Sequence, residues 1–129
     1  MGASKKPEGC NSVSPYLVVG SAQRVIGFLK KTFDATELRR YDLPDGSIMH
    51  VEVRIGDSVI MMGDGGEKWP PFPSSLHVYA DDVDATYARV SQAGGTAVQE
   101  PQRKGGDPGR RGGAKDPCGN TWWIAAQMD

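Results

Sequence analysis

Apolar and polar residues alternate along several short stretches of the chain, and a helical pattern follows the first of them. Alternation typical of strands occurs in "VSPYLVV", "TELRRY", "IMHVEVRI" and "SVIMM". Val25, Leu29 and Phe33 recur at helical spacing after Ser21, a residue type favoured at a helix N-terminus. The first half of the chain therefore predicts one strand, one helix and three further strands.

The same order of elements returns after residues 64–74, a linker rich in proline and glycine that neither a helix nor a sheet would tolerate. Beyond it come the strand "SLHVYA", a helix capped by Asp81 or Asp82, and the strands "TAVQE", "RRGGAK" and "TWWIAA". When the sequence is aligned with itself at an offset of 61 residues, Ser21 matches Asp82. At an offset of 62 residues, "SVIMM" matches "NTWWI". The chain thus contains an internal repeat of about 60 residues.

The repeat predicts an α+β fold built from two βαβββ modules, at about residues 13–63 and 75–127. We expect their strands to form an eight-stranded, curved, cup-shaped mixed sheet with the helices on its convex side, because neither module would cover its own sheet alone. Residues 1–12 are predicted to be a disordered leader, and residues 13–129 a single domain.

Composition narrows the class of protein without naming a function. The 129 residues are 38% hydrophobic and 24% charged with a net charge of −1, which describes a folded soluble domain and argues against nucleic-acid binding. The apolar runs are too short to span a membrane, and no signal peptide is evident, so we predict a cytoplasmic protein. Cys10 and Cys118 form no C-x-x-C motif and are predicted to be free thiols.

Three stretches carry a resemblance to a known family: "PYLVVGSAQRVIGFLKKTF", "HVEVRIGDSVIMM" and "DPCGNTWWIA". Together with the doubled βαβββ unit, they resemble the vicinal oxygen chelate superfamily, also called the glyoxalase and bleomycin-resistance superfamily. The DP-x-GN-x-W motif is similar to a branch labelled demethylubiquinone-methyltransferase-like, whose members mostly lack an assigned activity. The resemblance covers residues 13–127 and implies a homodimer with one cup-shaped cavity per sheet.

Enzymes of that superfamily typically hold a divalent metal with four side chains from the first and fourth strands of both modules. Carried onto this sequence, the four positions fall on Ser14, Met61, Ser75 and Trp123. A serine hydroxyl is a weak donor, a thioether prefers soft ions and an indole offers no lone pair. We therefore expect no metal and no other cofactor, and the resemblance then favours a binding protein over an enzyme.

Strand alternation predicts which residues face the cup and which face the helices. Met49, Val51, Val53 and Ile55 are predicted to lie beneath the helices. The ligand-binding residues are predicted to be Tyr16, His50, Glu52, Arg54, Met61, His77, Tyr79 and Trp123. Aromatic walls with a few polar groups suit a small organic, planar ligand. Trp123 either forms such a wall, plugs the cup or packs against a second subunit, and the sequence leaves these alternatives open.

His50 and Glu52 allow three interpretations. They are a hydrogen-bonded pair with Arg54 nearby, a catalytic acid–base pair, or, with His77, a displaced metal site. The stretch "PQRKGGDPGRRGGAK" is predicted to be mobile, and it is either a lid over the cup with anion-binding arginines or only a solvated, charged loop.

The sequence supports two main functional hypotheses. The first is a metal-independent protein that binds a small molecule, with antibiotic or toxin sequestration as one such role. The second is a lyase, isomerase or dioxygenase that uses a displaced metal or the pair His50 and Glu52. A dimer with a plugged cup and a structural or regulatory role is a third alternative.

Overall fold

The computed structural model describes residues 5–103, 105–106 and 108–127. Its elements follow one another as β1 (Tyr16–Val19), α1 (Ala22–Phe33), β2 (Thr36–Asp42), β3 (Ile48–Ile55), β4 (Ser58–Asp64), β5 (Ser75–Tyr79), α2 (Val83–Ala88), β6 (Thr96–Gln102), β7 (Gly109–Lys115) and β8 (Thr121–Gln127). This order confirms the predicted α+β fold with two βαβββ modules.

Each module contributes one four-stranded mixed sheet. The strand orders are β1-β4-β3-β2 and β5-β8-β7-β6, and in each sheet the first strand runs parallel to its neighbour while the other pairs are antiparallel. Tyr16 lies opposite Met61 in the first sheet, and His77 lies opposite Trp123 in the second. These pairs occupy equivalent positions in the predicted repeat, and the eight strands form two hydrogen-bonded ladders of four.

The two helices begin where the sequence predicts. Ser21 accepts a hydrogen bond from the backbone N–H of Arg24 at the start of α1, and Asp82 accepts one from Ala85 at the start of α2. Helix α1 covers the first sheet and α2 covers the second. No helix in the described part of the chain is long and apolar enough to span a membrane.

The two modules share one hydrophobic core. Trp122 of β8 is fully buried, and its ring lies 5.8 Å from that of Phe33 at the end of α1. Leu17 and Val51 of the first module belong to the same cluster of buried side chains as Ile124 of the second. The helix-facing half of the predicted alternation therefore packs as one interior.

A β-bulge in β3 corrects one predicted position. Tyr41 pairs with His50 and Asp42 pairs with Ile48, so Met49 has no partner opposite it on β2. The extra residue shifts the alternation, and Ile48 is buried while Met49 is 55% exposed. Met49 was predicted to lie beneath the helices, whereas its side chain is turned toward solvent.

The DP-x-GN-x-W motif forms a turn that is organised by one buried carboxylate. Asp116 is only 5% exposed and accepts hydrogen bonds from the backbone N–H groups of Cys118 and Asn120, from the side-chain amide of Asn120 and from the indole N–H of Trp122. Gly119 adopts φ 88°, a conformation that favours glycine. Asn120 also accepts from the backbone N–H of Ser74, which joins this turn to the start of β5.

Candidate functional site

The predicted ligand-binding residues divide between the two sheets, on the faces opposite the helices. Tyr16, His50, Glu52, Arg54 and Met61 lie on the first sheet, and His77, Tyr79 and Trp123 lie on the second. Exposure follows the predicted alternation, since Tyr79 is 74% exposed while Trp122 and Ile124 are buried. The two sets therefore form two separate surfaces within one chain.

Trp123 forms the floor of the surface on the second sheet. A Cβ at Gly113, its cross-strand neighbour on β7, would lie 2.6 Å from Cζ3 of the indole, so the six-membered ring rests directly over this glycine. The indole N–H donates to Oγ of Ser75 at 3.3 Å, which holds the other end of the ring against β5. Trp123 is partly exposed, and the open space beside it remains accessible.

That open space is a cavity of about 380 Å³ lined by His77, Gln99, Arg111 and Trp123. Nε of Arg111 donates to Nε2 of His77 at 3.3 Å. The ring of His77 in turn meets that of Tyr79 edge to face, with centroids 4.9 Å apart. The cavity therefore combines a flat aromatic floor with a guanidinium, an imidazole and an amide.

Arg111 and Gln99 were not among the predicted site residues. The residues around Arg111 were predicted both as the short strand "RRGGAK" and as part of a mobile lid. Residues 109–115 form β7 in the middle of the second sheet, so the strand is confirmed and the lid is wrong at this position. Strand alternation could have placed Arg111 in the site, because Arg111 lies two residues before Gly113 and therefore shares its face of the strand.

Arg110, the neighbour of Arg111, points to the opposite face of β7. Its guanidinium makes hydrogen bonds of 2.7 and 2.8 Å with the carboxylate of Asp84 on α2. The bond from Arg110 lowers the pKa of Asp84 below its usual value. The lid prediction is thus wrong for Arg110 and Arg111, and Lys104 from the same prediction lies outside the described residues.

A larger cleft of about 830 Å³ runs beside β5, which is the terminal strand of its sheet. It is lined by both faces of that strand, by the turn between β3 and β4, and by residues of α2. His77 and Tyr79 border it, but Trp123 and Arg111 do not. The cleft therefore follows a sheet edge and does not coincide with the predicted cup.

On the first sheet, His50 and Glu52 form the predicted pair. Nε2 of His50 lies 3.1 Å from Oε2 of Glu52, and Oε1 of Glu52 accepts a hydrogen bond of 2.8 Å from Arg39 on β2. The rings of Tyr16 and Tyr41 lie 5.8 and 6.2 Å from the imidazole. His50 is consequently held between two aromatic rings and a carboxylate.

The arginine beside this pair differs from the predicted one. Within the described part of the chain the guanidinium that contacts Glu52 belongs to Arg39, while Arg54 is exposed and further along β3. The antiparallel register of β2 and β3 brings Arg39 across from Glu52.

Two residues of the predicted disordered leader lie against the first sheet. Sγ of Cys10 is buried and donates to Oε1 of Glu52 at 3.6 Å, and it accepts a bond of 3.5 Å from Arg39. Oδ1 of Asn11 accepts from the backbone N–H of Val59 at 2.9 Å. This end of the segment therefore covers Glu52, which is why that carboxylate is only 6% exposed.

Glu52 is ionised more readily than an ordinary glutamate. Burial by itself raises the pKa of its carboxyl group, but the hydrogen bond from His50, the charge of Arg39 and the bonds from Cys10 and Arg39 together lower the pKa below its usual value. Protonation of Glu52 is therefore linked to loss of stability, since the folded state binds this proton more weakly than the unfolded chain does.

We expect the stability from Glu52 to be fully present above about pH 4.5 and to be lost as the pH falls through the lowered pKa of the folded state. In urea unfolding between pH 3 and 7, the Glu52→Gln variant should lose less stability on acidification than the wild type does. The exposed Glu67→Gln variant is the control and should keep the wild-type slope. Parallel pH profiles for all three proteins would contradict the assignment.

The four positions that the family uses for a metal do not fit one here. The hydroxyl of Ser75 accepts the indole N–H of Trp123, so two of the four positions are bonded to each other. Met61 lies opposite Tyr16, and neither side chain is a good ligand for a hard divalent ion. Oγ of Ser14 is buried and makes no hydrogen bond within the described residues, but a single hydroxyl does not hold a metal.

His50, Glu52 and His77 do not form the displaced metal site within one chain. His50 and Glu52 lie on β3 of the first sheet and His77 lies on β5 of the second. Across the described ranges, no group of three or more His, Cys, Asp or Glu side chains is arranged to hold a metal ion. Glu52 instead makes its contacts with His50, Arg39 and Cys10.

Two βαβββ units, each with one helix and one four-stranded mixed sheet, define the class of small α+β domains to which this fold belongs. The chain belongs to the Glyoxalase/Bleomycin resistance protein/Dioxygenase superfamily, whose model matches residues 10–124. This confirms the superfamily that the sequence motifs predict.

The relatives show how widely this fold is shared. An uncharacterized protein of Mycobacterium bovis is 37% identical over 125 residues, which are 88% of this chain and 81% of the relative. The crystal structure of TioX from Micromonospora sp. ML1 matches with a TM-score of 0.76 at 22% identity, covering 92% of this chain and 99% of TioX. Glyoxalase I from Zea mays matches with a TM-score of 0.72 at 20% identity, over 88% of this chain and 43% of that enzyme. The two structures support the fold alone.

Proposed function

We propose that this protein binds a planar organic molecule without a metal ion, in the manner of a carrier or a sequestering protein. The observation that carries the proposal is the position of Trp123, whose ring lies over Gly113 and borders a cavity of about 380 Å³. Small-molecule sites typically have volumes of about 300–1,000 Å³. An indole in this position supplies a surface on which a flat ligand stacks.

The remaining lining residues suit the same kind of ligand. His77 and Tyr79 extend the aromatic surface along β5, and Gln99 and Arg111 provide hydrogen-bond donors at its side. On the first sheet, Tyr16, His50 and Met61 form the second surface that we propose for ligand contact, with Glu52 and Arg54 beside them. Antibiotics and toxins with fused or conjugated rings are examples of compatible ligands.

The test is calorimetric titration of the purified protein with two planar probes, 2-naphthamide and 2-naphthoate. We expect saturable binding of at least one probe, and we expect Trp123→Ala to weaken it about tenfold, because loss of a stacking ring removes about 1.4 kcal/mol. Trp69→Ala is the control, since Trp69 is 74% exposed in the linker and does not line the cavity.

Two results would contradict this proposal. The first is that neither probe binds saturably to the wild type. The second is that both tryptophan variants weaken binding by the same factor. The second result would assign binding to a general loss of aromatic surface and not to the floor of the cavity.

Catalysis by His50 and Glu52 is the second candidate function. The contact of 3.1 Å between Nε2 of His50 and Oε2 of Glu52 favours it, because a carboxylate that accepts from Nε2 leaves Nδ1 as the basic nitrogen. Tyr16 and Tyr41 flank the imidazole and provide a surface for a substrate. A catalytic activity that is lost in the His50→Gln variant and retained in the Trp123→Ala variant would favour this candidate over the binding protein.

We also propose that the protein is a cytoplasmic homodimer with a single domain, which comprises residues 13–129 together with the packed residues Cys10 and Asn11. The terminal strands β1 and β5 offer sheet edges for a second copy, and exposed Tyr16 and Tyr79 lie on these strands. Both cysteines are free thiols, which is typical of a reducing compartment. The core shared by the two modules supports a single domain. The molar mass in solution, from sedimentation equilibrium, tests the dimer.

A further inference from the structure

We infer that the outer edge of β5 binds an extended, positively charged segment of a partner protein, which adds a strand to the second sheet. The site is the cleft of about 830 Å³ beside β5, whereas the planar ligand proposed above occupies the cavity over Trp123. Binding of the segment goes beyond the proposed function and does not require it.

The backbone of β5 directs half of its hydrogen-bonding groups away from the sheet. At the two ends of the strand, the carbonyl oxygen of Ser74 and the backbone N–H of Ala80 both bond to β8. In a parallel ladder every second residue of a strand bonds to the same neighbour, so the residues that bond to β8 are the even-numbered ones. The N–H and C=O groups of Ser75, His77 and Tyr79 therefore point to the outer edge.

This outer edge is open. Across the described residues, β8 is the one strand that pairs with β5, and no backbone group of the chain bonds to the outward groups of β5. Unpaired groups along a strand edge are a template for another extended chain. The cleft provides the space for such a chain, between β5 and the turn that joins β3 to β4.

The first sheet shows how this kind of edge is covered. Strand β1 has the place of β5 in its own sheet, and the carbonyl oxygen of Val18 accepts a hydrogen bond of 3.2 Å from the backbone N–H of Phe72 in the linker. Because Phe72 precedes Pro73, its backbone favours an extended conformation. Tyr79 is the repeat equivalent of Val18 at an offset of 61 residues, and in the described chain no such bond reaches it. An extended segment from another protein would supply the missing contact.

The charge of the cleft favours a basic segment. The carboxylates of Asp57, Asp81 and Asp82 line the cleft together with the guanidinium of Arg89, and all four side chains are exposed. The carboxylates outnumber the guanidinium, so a segment rich in lysine or arginine gains attraction as it enters. The ring of Tyr79, which is 74% exposed, offers a further surface on which a cationic group packs.

The cleft also offers apolar surface to alternate residues of the segment. Phe33 of α1 and Leu76 and Val78 of β5 line the cleft, and the chain itself buries them only in part. Successive side chains of an added strand point to opposite faces of the sheet, so every second one would cover these residues. A segment in which basic and apolar residues alternate therefore suits the site.

The probe is a hexapeptide of alternating lysine and valine with blocked ends, which at about 20 Å spans the five residues of β5. We expect saturable binding to the wild type in calorimetric titration. The peptide with glutamate in place of lysine should bind at least tenfold more weakly. Two further peptides carry N-methyl groups on the three lysines or on the three valines. One of them should bind at least tenfold more weakly than the other, because alternate N–H groups of a strand point to the same edge.

The matched protein variants are Tyr79→Pro and Tyr79→Ala. Both remove the same exposed side chain, and only the proline removes the outward N–H. Proline is tolerated at a strand edge whose N–H faces solvent, and thermal denaturation shows whether each variant is folded. We expect Tyr79→Pro to bind the lysine–valine peptide at least fivefold more weakly than Tyr79→Ala does.

Asp81→Asn tests the charge of the cleft. This variant should reduce the preference for lysine over glutamate in the peptide. Glu67→Gln is its control, because Glu67 is exposed but does not line the cleft, and it should keep the wild-type preference.

Each contrary outcome overturns a defined part of the inference. Equal affinities of the two N-methylated peptides would overturn strand addition, and equal affinities of the lysine and glutamate peptides would overturn the basic partner. Absence of saturable binding would overturn the site itself. If Tyr79→Pro then also dissociates a dimer in sedimentation equilibrium, the edge belongs to a second copy of the chain. Titration with the planar probes tests the proposed function separately.

Discussion

Replacing Asp116 with alanine is expected to lower the free energy of unfolding by about 3–4 kcal/mol. The carboxylate is buried and accepts bonds from two backbone N–H groups and from the side chains of Asn120 and Trp122. Its removal would leave these donors unsatisfied in a place that water does not readily reach.

Urea denaturation followed by circular dichroism measures this effect, and Asp57→Ala is the control. Asp57 lies in an exposed turn, where its carboxylate accepts a hydrogen bond from the hydroxyl of the neighbouring Ser58. Its replacement should change stability by less than about 0.5 kcal/mol. Similar losses in both variants would mean that Asp116 contributes no more than an ordinary surface carboxylate.

The second large effect is expected at Gly113. Alanine at this position would place a Cβ 2.6 Å from Cζ3 of Trp123, closer than two carbon atoms tolerate, so the indole must leave the floor of the cavity. We expect Gly113→Ala to weaken the binding of a planar probe about tenfold, as loss of the stacking ring does, and to change the near-ultraviolet circular dichroism of the tryptophans.

Gly66→Ala is the control for this substitution, because a Cβ at Gly66 would meet no atom within 4 Å. It should bind the probe as the wild type does. Unchanged probe affinity in Gly113→Ala, measured on folded protein, would show that the position of the indole over this glycine is irrelevant to binding. A double variant, Gly113→Ala with Trp123→Ala, should bind no more weakly than Trp123→Ala alone.

Much of the fold was predictable because its determinants are local. Ser21 and Asp82 are residue types whose side chains accept backbone N–H groups, and they begin both helices as predicted. The duplicated order of elements allowed each module to support the interpretation of the other. The position of Met49 was not predictable, because a bulge depends on the register of β2 against β3 and alternation alone assumes a regular strand.

The site was predicted less completely than the fold, for a related reason. His50 and Glu52 lie two residues apart on one strand, so their contact follows from spacing. Arg39 and Cys10 reach Glu52 from distant parts of the chain, and no local pattern pairs them with it. The residues around Arg111 were predicted both as a short strand and as part of a mobile lid, and only the strand is confirmed. The glycines that suggested flexibility include Gly113, over which the ring of Trp123 lies.

The shared core lies beneath two open faces, so the residues that stabilise the fold and those that we propose for ligand contact occupy different positions along each strand. Tyr16 and Met61 face each other on one sheet, and His77 and Trp123 occupy the equivalent pair on the other, while the alternate residues pack beneath the helices. Substitutions at the open positions leave the interior intact. Because the two halves repeat the same order of elements, we expect a library varied at these two pairs to alter each open face independently of the other.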